Sequence, residues 1–259
     1  MTESAVLSVY VAGMDSAPFR VVNPDVRHDA ASTIKAAVLA ALYRSGVDLD
    51  ASVPVIDSFP SAVPETIFSN SIEMDSDPEP WRRVGGRATL RWLANRMITR
   101  SSNLATNVCL HHVGLGAVAQ VWRSVGATHS GTDRLIEDYA AKNAGIVNLV
   151  TAADLARLFR WLGPNELDLL ALNEHRVDLA AGLPVGTRIA FKNGWFPGLR
   201  HSAGIVYPAD AEPYVIVVCY TGPLATGDAC HDPAAALLAR ISAEIWAQRH
   251  ALATWADGR

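Results

Sequence analysis

Strand-like segments lie at the two ends of this sequence, and they constrain the fold more than any other feature. In them, apolar residues alternate with polar ones or run continuously, as in half-buried or buried β-strands. The segments are 5–12, 18–22, 187–193, 200–208 and 213–222. Short connections within each group indicate antiparallel neighbours, because a parallel neighbour needs a long crossover. The pattern predicts a five-stranded antiparallel sheet that combines both ends of the chain.

Helical periodicity fills the middle of the chain and returns at its end. Residues 32–44 are apolar on almost every side, which is typical of a central, buried helix. Further helical patterns cover 88–99, 102–112, 115–124, 151–162, 165–174 and 232–248. We therefore expect a mixed α and β fold with a sheet lobe (1–28 and 185–259) and an inserted, mostly helical lobe (29–184). The first and last helices are expected on one face of the sheet, and a cleft is expected between the lobes.

The composition is that of a globular protein and argues against several function classes. Of 259 residues, half are hydrophobic and 19% are charged, with a net charge of −4, so neither nucleic acid nor an anionic membrane is an expected partner. No apolar run reaches the roughly 20 residues of a transmembrane helix, and the first residues do not resemble a signal peptide. A cytoplasmic location is therefore expected. The three cysteines have no metal-ligand spacing and no phosphate-binding loop is present, so we expect no metal and no cofactor.

Lysine is rare in this chain, and its placement is informative. Three lysines stand against nineteen arginines, and Lys35 follows Ser32 by three positions at the start of a predicted helix. Residues i and i+3 share a helix face, and a buried lysine of lowered pKa can take the proton of a serine nucleophile, whereas arginine stays charged. The pair alone is also compatible with a helix-capping serine beside a solvated lysine.

Two further motifs complete a pattern. "RSSN" places Ser101 and Asn103 at a helix start, and "FKNG" places Lys192 on a strand. In this order and spacing, the three motifs resemble the S-x-x-K, S-D-N and K-T-G elements of class A β-lactamases and penicillin-binding proteins. The similarity extends through "AASTIK", "TLRWLANRMITRSSNLATN", "NLVTAADLARLF" and "FKNGWFPGLRHSAGIVYP".

The resemblance implies a role for each motif residue. Ser32 would be the acylated nucleophile, and Lys35 its base or proton relay. Ser101 would pass a proton to the leaving group, and Asn103 would hydrogen-bond Lys35 and the amide of the substrate. Lys192 would attract a substrate carboxylate and orient Ser101.

Several cleft residues are assigned by the same comparison. The backbone N–H groups of Ser32 and Trp195 would form the oxyanion hole, and the Trp195 indole either walls the pocket or shields the sheet edge. Gly194 would leave room for a ligand against the strand. His201 is a candidate substrate contact or a surface residue of an edge strand, and Arg200 is a candidate anion-binding residue.

The sequence departs from the family pattern at its motifs and in one loop. Ser102 replaces the usual aspartate, and Asn193 replaces the threonine or serine that contacts the carboxylate. In the loop, Arg134 and Asn148 stand where the family has an arginine–aspartate ion pair. The position of the deacylating glutamate then falls on Ile136, one residue before Glu137, so Glu137 is either the deacylation acid or an ordinary loop carboxylate.

The sequence therefore predicts a serine hydrolase that forms an acyl-enzyme with a small β-lactam, ester or amide bearing a carboxylate. Slow turnover of β-lactams is expected, because acylation has its residues and deacylation lacks a clear base. A D-Ala-type peptidase and a non-catalytic ligand-binding or sensor module on the same fold remain open alternatives. The oligomeric state also remains open.

Overall fold

The fold is described by a computed structural model, which covers residues 5–251. In chain order its strands are β1 (Val6–Gly13), β2 (Pro18–Val22), β3 (His28–Asp29), β4 (Ser52–Pro54), β5 (Ser58–Pro60), β6 (Ile67–Ser69), β7 (Arg87–Thr89), β8 (Leu149–Val150), β9 (Arg188–Phe196), β10 (Leu199–Tyr207) and β11 (Tyr214–Thr221). Its α-helices are α1 (Lys35–Arg44), α2 (Leu90–Thr99), α3 (Asn103–Val113), α4 (Leu115–Ser124), α5 (Tyr139–Asn143), α6 (Ala152–Trp161), α7 (Pro164–Ala171) and α8 (Pro233–Ala247). Short 3-10 helices cover Ala31–Ile34, Ile72–Met74, Trp81–Arg83 and Asp178–Gly182.

The main sheet joins the two ends of the chain. Its strand order is β2-β1-β11-β10-β9, and every neighbouring pair is antiparallel. This confirms the five-stranded antiparallel sheet and the mixed α and β fold class predicted above. Strand β9, which carries Lys192, lies at one edge, and β10 lies inside the sheet.

Helices cover both faces of this sheet. Along β11, Val217 and Cys219 face a core shared with α6 and the helices of the middle segment, whereas Ile216 and Val218 face α8. The alternation follows from the two-residue period of a strand. The expectation that the first and last helices share one face is wrong, because α1 packs among α2, α3, α4 and α7 and belongs to the core opposite α8.

Three small two-stranded sheets tie the connections together. β4 pairs with β7 and β5 pairs with β6, so the connection between α1 and α2 contains short strands. β3 pairs with β8, with His28 opposite Val150 and Asp29 opposite Leu149. This pairing holds the end of the 130–148 loop beside the segment that leads into Ser32.

Candidate active site

Ser32 lies in the 3-10 turn Ala31–Ile34, which continues directly into α1. From Lys35 to Leu42 every residue of α1 is buried, as the sequence predicts for a central helix. Ser32 itself is only half-buried and lines two cavities. The helix therefore anchors the turn in the core while the turn presents Ser32 to the cleft.

Three cleft residues have a left-handed backbone that is unusual for residues other than glycine. The φ angles are 44° at Ala31, 58° at Ser101 and 66° at Glu137. Such conformations cost on the order of 1–3 kcal/mol each and persist only where surrounding packing enforces them. They occur here immediately before Ser32, at the first residue of the second motif, and in the loop, so each of the three cleft segments is held in a specific, strained shape.

Gly194 brings β9 into direct contact with the Ser32 turn. A Cβ at this position would lie 2.5 Å from Ser32 N, 3.0 Å from Ala31 Cβ and 3.1 Å from Ser32 Cα. The glycine thus makes room for the backbone of Ser32, whereas the sequence expectation assigned that room to a ligand. Because Trp195 follows directly in the chain, the same contact holds the strand that carries Trp195 against the Ser32 turn.

Lys35 is fully buried and hydrogen-bonded to the second motif. Its Nζ donates to the backbone oxygen of Ser101 at 2.5 Å, to Ser101 Oγ at 3.2 Å and to Asn103 Oδ1 at 2.9 Å. Within residues 5–251, no hydrogen bond joins Nζ to Ser32 Oγ. Although Ser32 and Lys35 are three positions apart in sequence, the hydroxyl that hydrogen-bonds the amine is that of Ser101.

Burial changes the protonation of this amine. It lowers the pKa of Lys35 from 10.5 to about 8, although the carboxylates of Asp75 and Glu137 act in the opposite direction. About a tenth of the molecules therefore carry the neutral amine at pH 7. Of its three partners, only Ser101 Oγ has a hydrogen to donate, so the lone pair of a neutral Lys35 can accept from this hydroxyl.

Asp75 supplies the carboxylate that Ser102 lacks. Its Oδ2 accepts hydrogen bonds from Ser102 Oγ at 3.0 Å, from the backbone N–H of Leu104 at 2.9 Å and from Trp81 Nε1 at 3.0 Å. The carboxylate absent from position 102 is thus supplied by Asp75, which lies 27 positions earlier in the chain. Sequence reasoning missed this residue, because Asp75 lies in the irregular "MDSDPEPW" segment, where no spacing marks it.

Asn103 and Glu137 form the opposite wall. Asn103 Nδ2 donates to Glu137 Oε1 at 2.8 Å and to the backbone oxygen of Met74 at 3.0 Å, while Glu137 Oε2 accepts the N–H of Ser71 at 2.8 Å. Both amide hydrogens of Asn103 are therefore engaged, and a substrate would have to displace one. Glu137 is 8% exposed and lines a cavity together with Ser32.

Lys192 is buried behind the strand edge. Its Nζ donates to the backbone oxygen of Asn193 at 2.7 Å. Burial, followed by repulsion from Lys35, lowers the pKa of Lys192 well below its usual value. The pKa of His175 is lowered mainly by burial of its ring, and repulsion from Lys192 and Lys35 lowers it further. The ring lies edge-on to Trp195. The two motif lysines thus lie close enough to sense each other, and His175 is a second neighbour of the cleft that no motif marks.

The structure places three other predicted residues away from the cleft. Asn193 Nδ2 donates to Asp178 Oδ2 at 3.0 Å and to the backbone oxygen of His175, so its amide faces a buried polar cluster and not a substrate. Arg200 is fully buried and pairs with Asp178 at 2.5 Å, so it is not free to bind an anion.

His201 is also placed differently from the sequence expectation. Its ring is fully buried, with Nε2 2.9 Å from the backbone oxygen of Asp29 and Nδ1 accepting the N–H of Tyr220. Both the substrate contact and the edge-strand position proposed for His201 are wrong, because β10 lies between β9 and β11 and is covered on both faces.

Two cavities meet at Ser32 and share Met74, Asn103 and Trp195. The larger cavity, of about 160 Å³, is lined in addition by the 134–142 part of the loop, by Asp29 and by Asn148. The smaller cavity, of about 120 Å³, is lined in addition by Ser76, Ser101 and Gly194. Trp195 therefore walls the site on both sides of Ser32.

The described part of the chain offers no obvious metal centre. Within residues 5–251, no three His, Cys, Asp or Glu side chains are grouped so that they could hold a metal ion. In the same range, no helix has the length and apolar character needed to span a bilayer.

Comparison with known proteins agrees with this geometry. A β-lactamase from Xanthomonas campestris pv. campestris is 21% identical, with 96% of this chain and 92% of that chain aligned at a TM-score of 0.77. A variant of the reconstructed class A β-lactamase of the last common ancestor of Gram-negative bacteria is 25% identical, covering 95% and 93% at 0.75. A PBP-A variant, solved as an acyl-enzyme complex with penicillin G, is 21% identical, covering 95% and 92% at 0.73.

The sequence itself gives the same assignment at the family level. None of the curated protein sequences matches this chain significantly. The sequence model of the β-lactamase enzyme family, in contrast, matches residues 2–248, which is nearly the whole chain. The chain therefore belongs to the β-lactamase enzyme family and has the fold of class A β-lactamases.

Proposed function

We propose that this protein is a serine hydrolase that acts through an acyl-enzyme on a small β-lactam, ester or amide carrying a carboxylate. The observation that carries the proposal is the fully buried Lys35, whose lowered pKa and contact with Ser101 provide a base next to a hydroxyl that lines the same cavity as Ser32. The segments 1–28 and 185–259 would form one lobe and 29–184 the other, with the reaction in the cleft between them.

Acylation follows from these groups. Ser32 Oγ attacks the carbonyl carbon while neutral Lys35 receives the proton of Ser32 through the Ser101 hydroxyl. The backbone N–H groups of Ser32 and Trp195 stabilise the oxyanion. Ser101 then donates a proton to the departing nitrogen or oxygen and is reprotonated by Lys35. The bond between the carbonyl carbon and the leaving nitrogen or oxygen breaks, which leaves the acyl group attached to Ser32 as an ester.

Deacylation is the slower step in this proposal. Glu137 is the carboxylate of the larger cavity that is available to orient a water molecule toward the acyl carbonyl. Both its oxygens are already hydrogen-bonded, to Asn103 and to the backbone of Ser71. We therefore expect kcat for β-lactam hydrolysis to lie below roughly 10² s⁻¹. This upper limit is itself well above the median kcat of enzymes. A penicillin hydrolysed faster than this would contradict the proposal.

The direct test is intact-mass analysis after incubation with a fluorescent penicillin or an activated ester. We expect a covalent adduct or ester turnover in the native protein, and neither in Ser32→Ala. Lys35→Arg retains the charge but not the base, and it should abolish the reaction as well. Arg123→Lys is the control, because this charge-preserving change lies at an exposed arginine of α4 outside both cavities, and it should react like the native protein.

A non-catalytic sensor module would give a different result. Such a protein would bind the penicillin reversibly, leave both reagents unconsumed and show no mass increase. A D-Ala-type peptidase would instead release D-alanine from an acyl-D-Ala-D-Ala peptide in a reaction that depends on Ser32. These outcomes separate the three candidate functions without knowledge of the natural substrate.

A further inference from the structure

Arg134 is a buried cation without a counter-charge on the wall of the larger cavity. Its side chain is 7% exposed, and its Nε is buried with no hydrogen-bond partner. Within residues 5–251, its guanidinium makes one hydrogen bond, from Nη1 to the backbone oxygen of Leu135 at 3.2 Å, and no ion pair. A buried charge without hydrogen-bond partners or a counter-ion is energetically unfavourable, and a bound group of opposite charge would remove this cost.

Asn148 explains why the partner is missing. Its Oδ1 accepts the backbone N–H groups of Asp133 at 2.8 Å and Arg134 at 3.1 Å, and its Nδ2 donates to the backbone oxygen of Arg134 at 3.0 Å. Asn148 therefore fastens the two ends of the loop through the backbone. Because its amide is neutral and fully engaged, it leaves the Arg134 guanidinium uncompensated.

The other charges of the same cavity already have partners. Lys142 pairs with Asp29 at 3.0 Å. Glu137 accepts hydrogen bonds from Asn103 and from the Ser71 backbone. Among the charged residues that line this cavity, Arg134 is thus the one whose charge is left for an anionic ligand to pair with.

The two cavities at Ser32 indicate which part of a substrate reaches Arg134. Ser101, the proposed proton donor to the leaving group, lines the smaller cavity, so the leaving group lies there. Arg134 lines the larger cavity, which must then receive the acyl portion. Both cavities open onto Ser32, where the acyl carbon is attacked.

We propose that the acyl portion of the substrate carries an anionic group, a carboxylate, that binds Arg134. This inference rests on the proposed hydrolase function and adds to it the chemical class of the acyl group. A planar guanidinium matches a carboxylate through two parallel hydrogen bonds. The substrate would then bear a carboxylate on its acyl side, in addition to any on its leaving side.

The test uses two p-nitrophenyl esters of the same shape, one made from adipic acid and one from adipic acid monoamide. The first presents a carboxylate at the end of its acyl chain and the second a neutral amide. We expect native protein to have a higher kcat/KM for the carboxylate ester, by about tenfold or more for one charge-assisted contact. Arg134→Gln should bring the ratio close to one, and Arg134→Lys should retain part of it.

Controls separate a binding role from a structural one. Arg123→Gln, an exposed arginine on α4, should keep the native ratio, and thermal melts check that each variant is folded. An unchanged ratio in Arg134→Gln, or an equal loss with both esters, would overturn the inference.

A binding measurement on Ser32→Ala distinguishes failure of the anion-binding inference from failure of the hydrolase proposal. Ligand-observed NMR compares adipic acid monoamide with adipic diamide. Binding of the acid that is lost in Ser32→Ala/Arg134→Gln supports the subsite even if neither ester is hydrolysed. Equal binding of acid and diamide refutes it.

Discussion

Replacing Gly194 by alanine should disturb the Ser32 turn more than the addition of one methyl group suggests. The new Cβ would lie 2.5 Å from Ser32 N, 3.0 Å from Ala31 Cβ and 3.1 Å from Ser32 Cα, whereas ordinary contacts begin near 3.4 Å. Two of the three opposing atoms are backbone, so no side chain can rotate away. The strand and the Ser32 turn must separate by roughly 1 Å, the difference between the 2.5 Å approach and an ordinary contact.

Both stability and rate should respond. Overpacking of this kind costs about 1–3 kcal/mol, which lowers Tm by roughly 2–12 °C for a chain of this length. A displacement of about 1 Å between the nucleophile and its oxyanion hole reduces the acylation rate by on the order of 10²-fold. Acylation is followed by intact mass during single-turnover reaction with an activated ester, and stability is followed by thermal melts.

The chain contains a matched control. Gly116 lies in α4, and a Cβ there would meet nothing within 4 Å, so Gly116→Ala should leave the acylation rate near native and should not lower Tm. If Gly194→Ala acylates within twofold of the native rate with an unchanged Tm, the close approach of β9 to Ser32 is not what positions the nucleophile.

Three further predictions concern titratable groups. Acylation should rise about tenfold per pH unit below the pKa of Lys35, about 8, and level off above it, and Asp75→Asn should shift this profile to lower pH because the carboxylate raises that pKa. A profile that does not shift in Asp75→Asn would show that Lys35 is not the titrating base. Glu137→Gln should lengthen the lifetime of the penicillin adduct, measured by mass after removal of free reagent, and an unaltered lifetime would exclude Glu137 from deacylation. The burial of His28 and His201 lowers the pKa of each to about 4, so the free energy of unfolding should fall from pH 6.5 towards 4 as only the unfolded chain takes up these protons; urea unfolding at several pH values measures this, and His201→Gln should weaken the dependence.

The sequence was sufficient for features that depend on local periodicity. Alternation along the terminal segments determined five antiparallel strands, and these strands form the main sheet. The apolar residues of 32–44 likewise predicted a central, buried helix, and Lys35 to Leu42 of α1 are buried. Such patterns are readable because the repeat of a strand or a helix is set by neighbouring residues alone.

Only the tertiary structure determined which charged residues from distant segments lie at the site. Ser102 reads as a lost aspartate, yet Asp75 restores the carboxylate across 27 positions of chain. Glu137 lies one position after the place of the family glutamate in sequence, and the structure places it in the wall of the cavity, with a φ of 66°. A hydrogen bond between segments depends on how loops cross in space, which no local period records.

The segments that cover the two faces of the sheet could likewise not be predicted from the sequence. A two-residue period shows which residues of β10 share a face, but it does not show which segments pack against that face. His201 was therefore expected as a substrate contact or on an edge strand, and Arg200 as an anion-binding residue, whereas the folded structure buries both. Local chemistry determined which residues can react here, and long-range packing determined which of them face the cleft, because burial depends on every segment that closes over a residue.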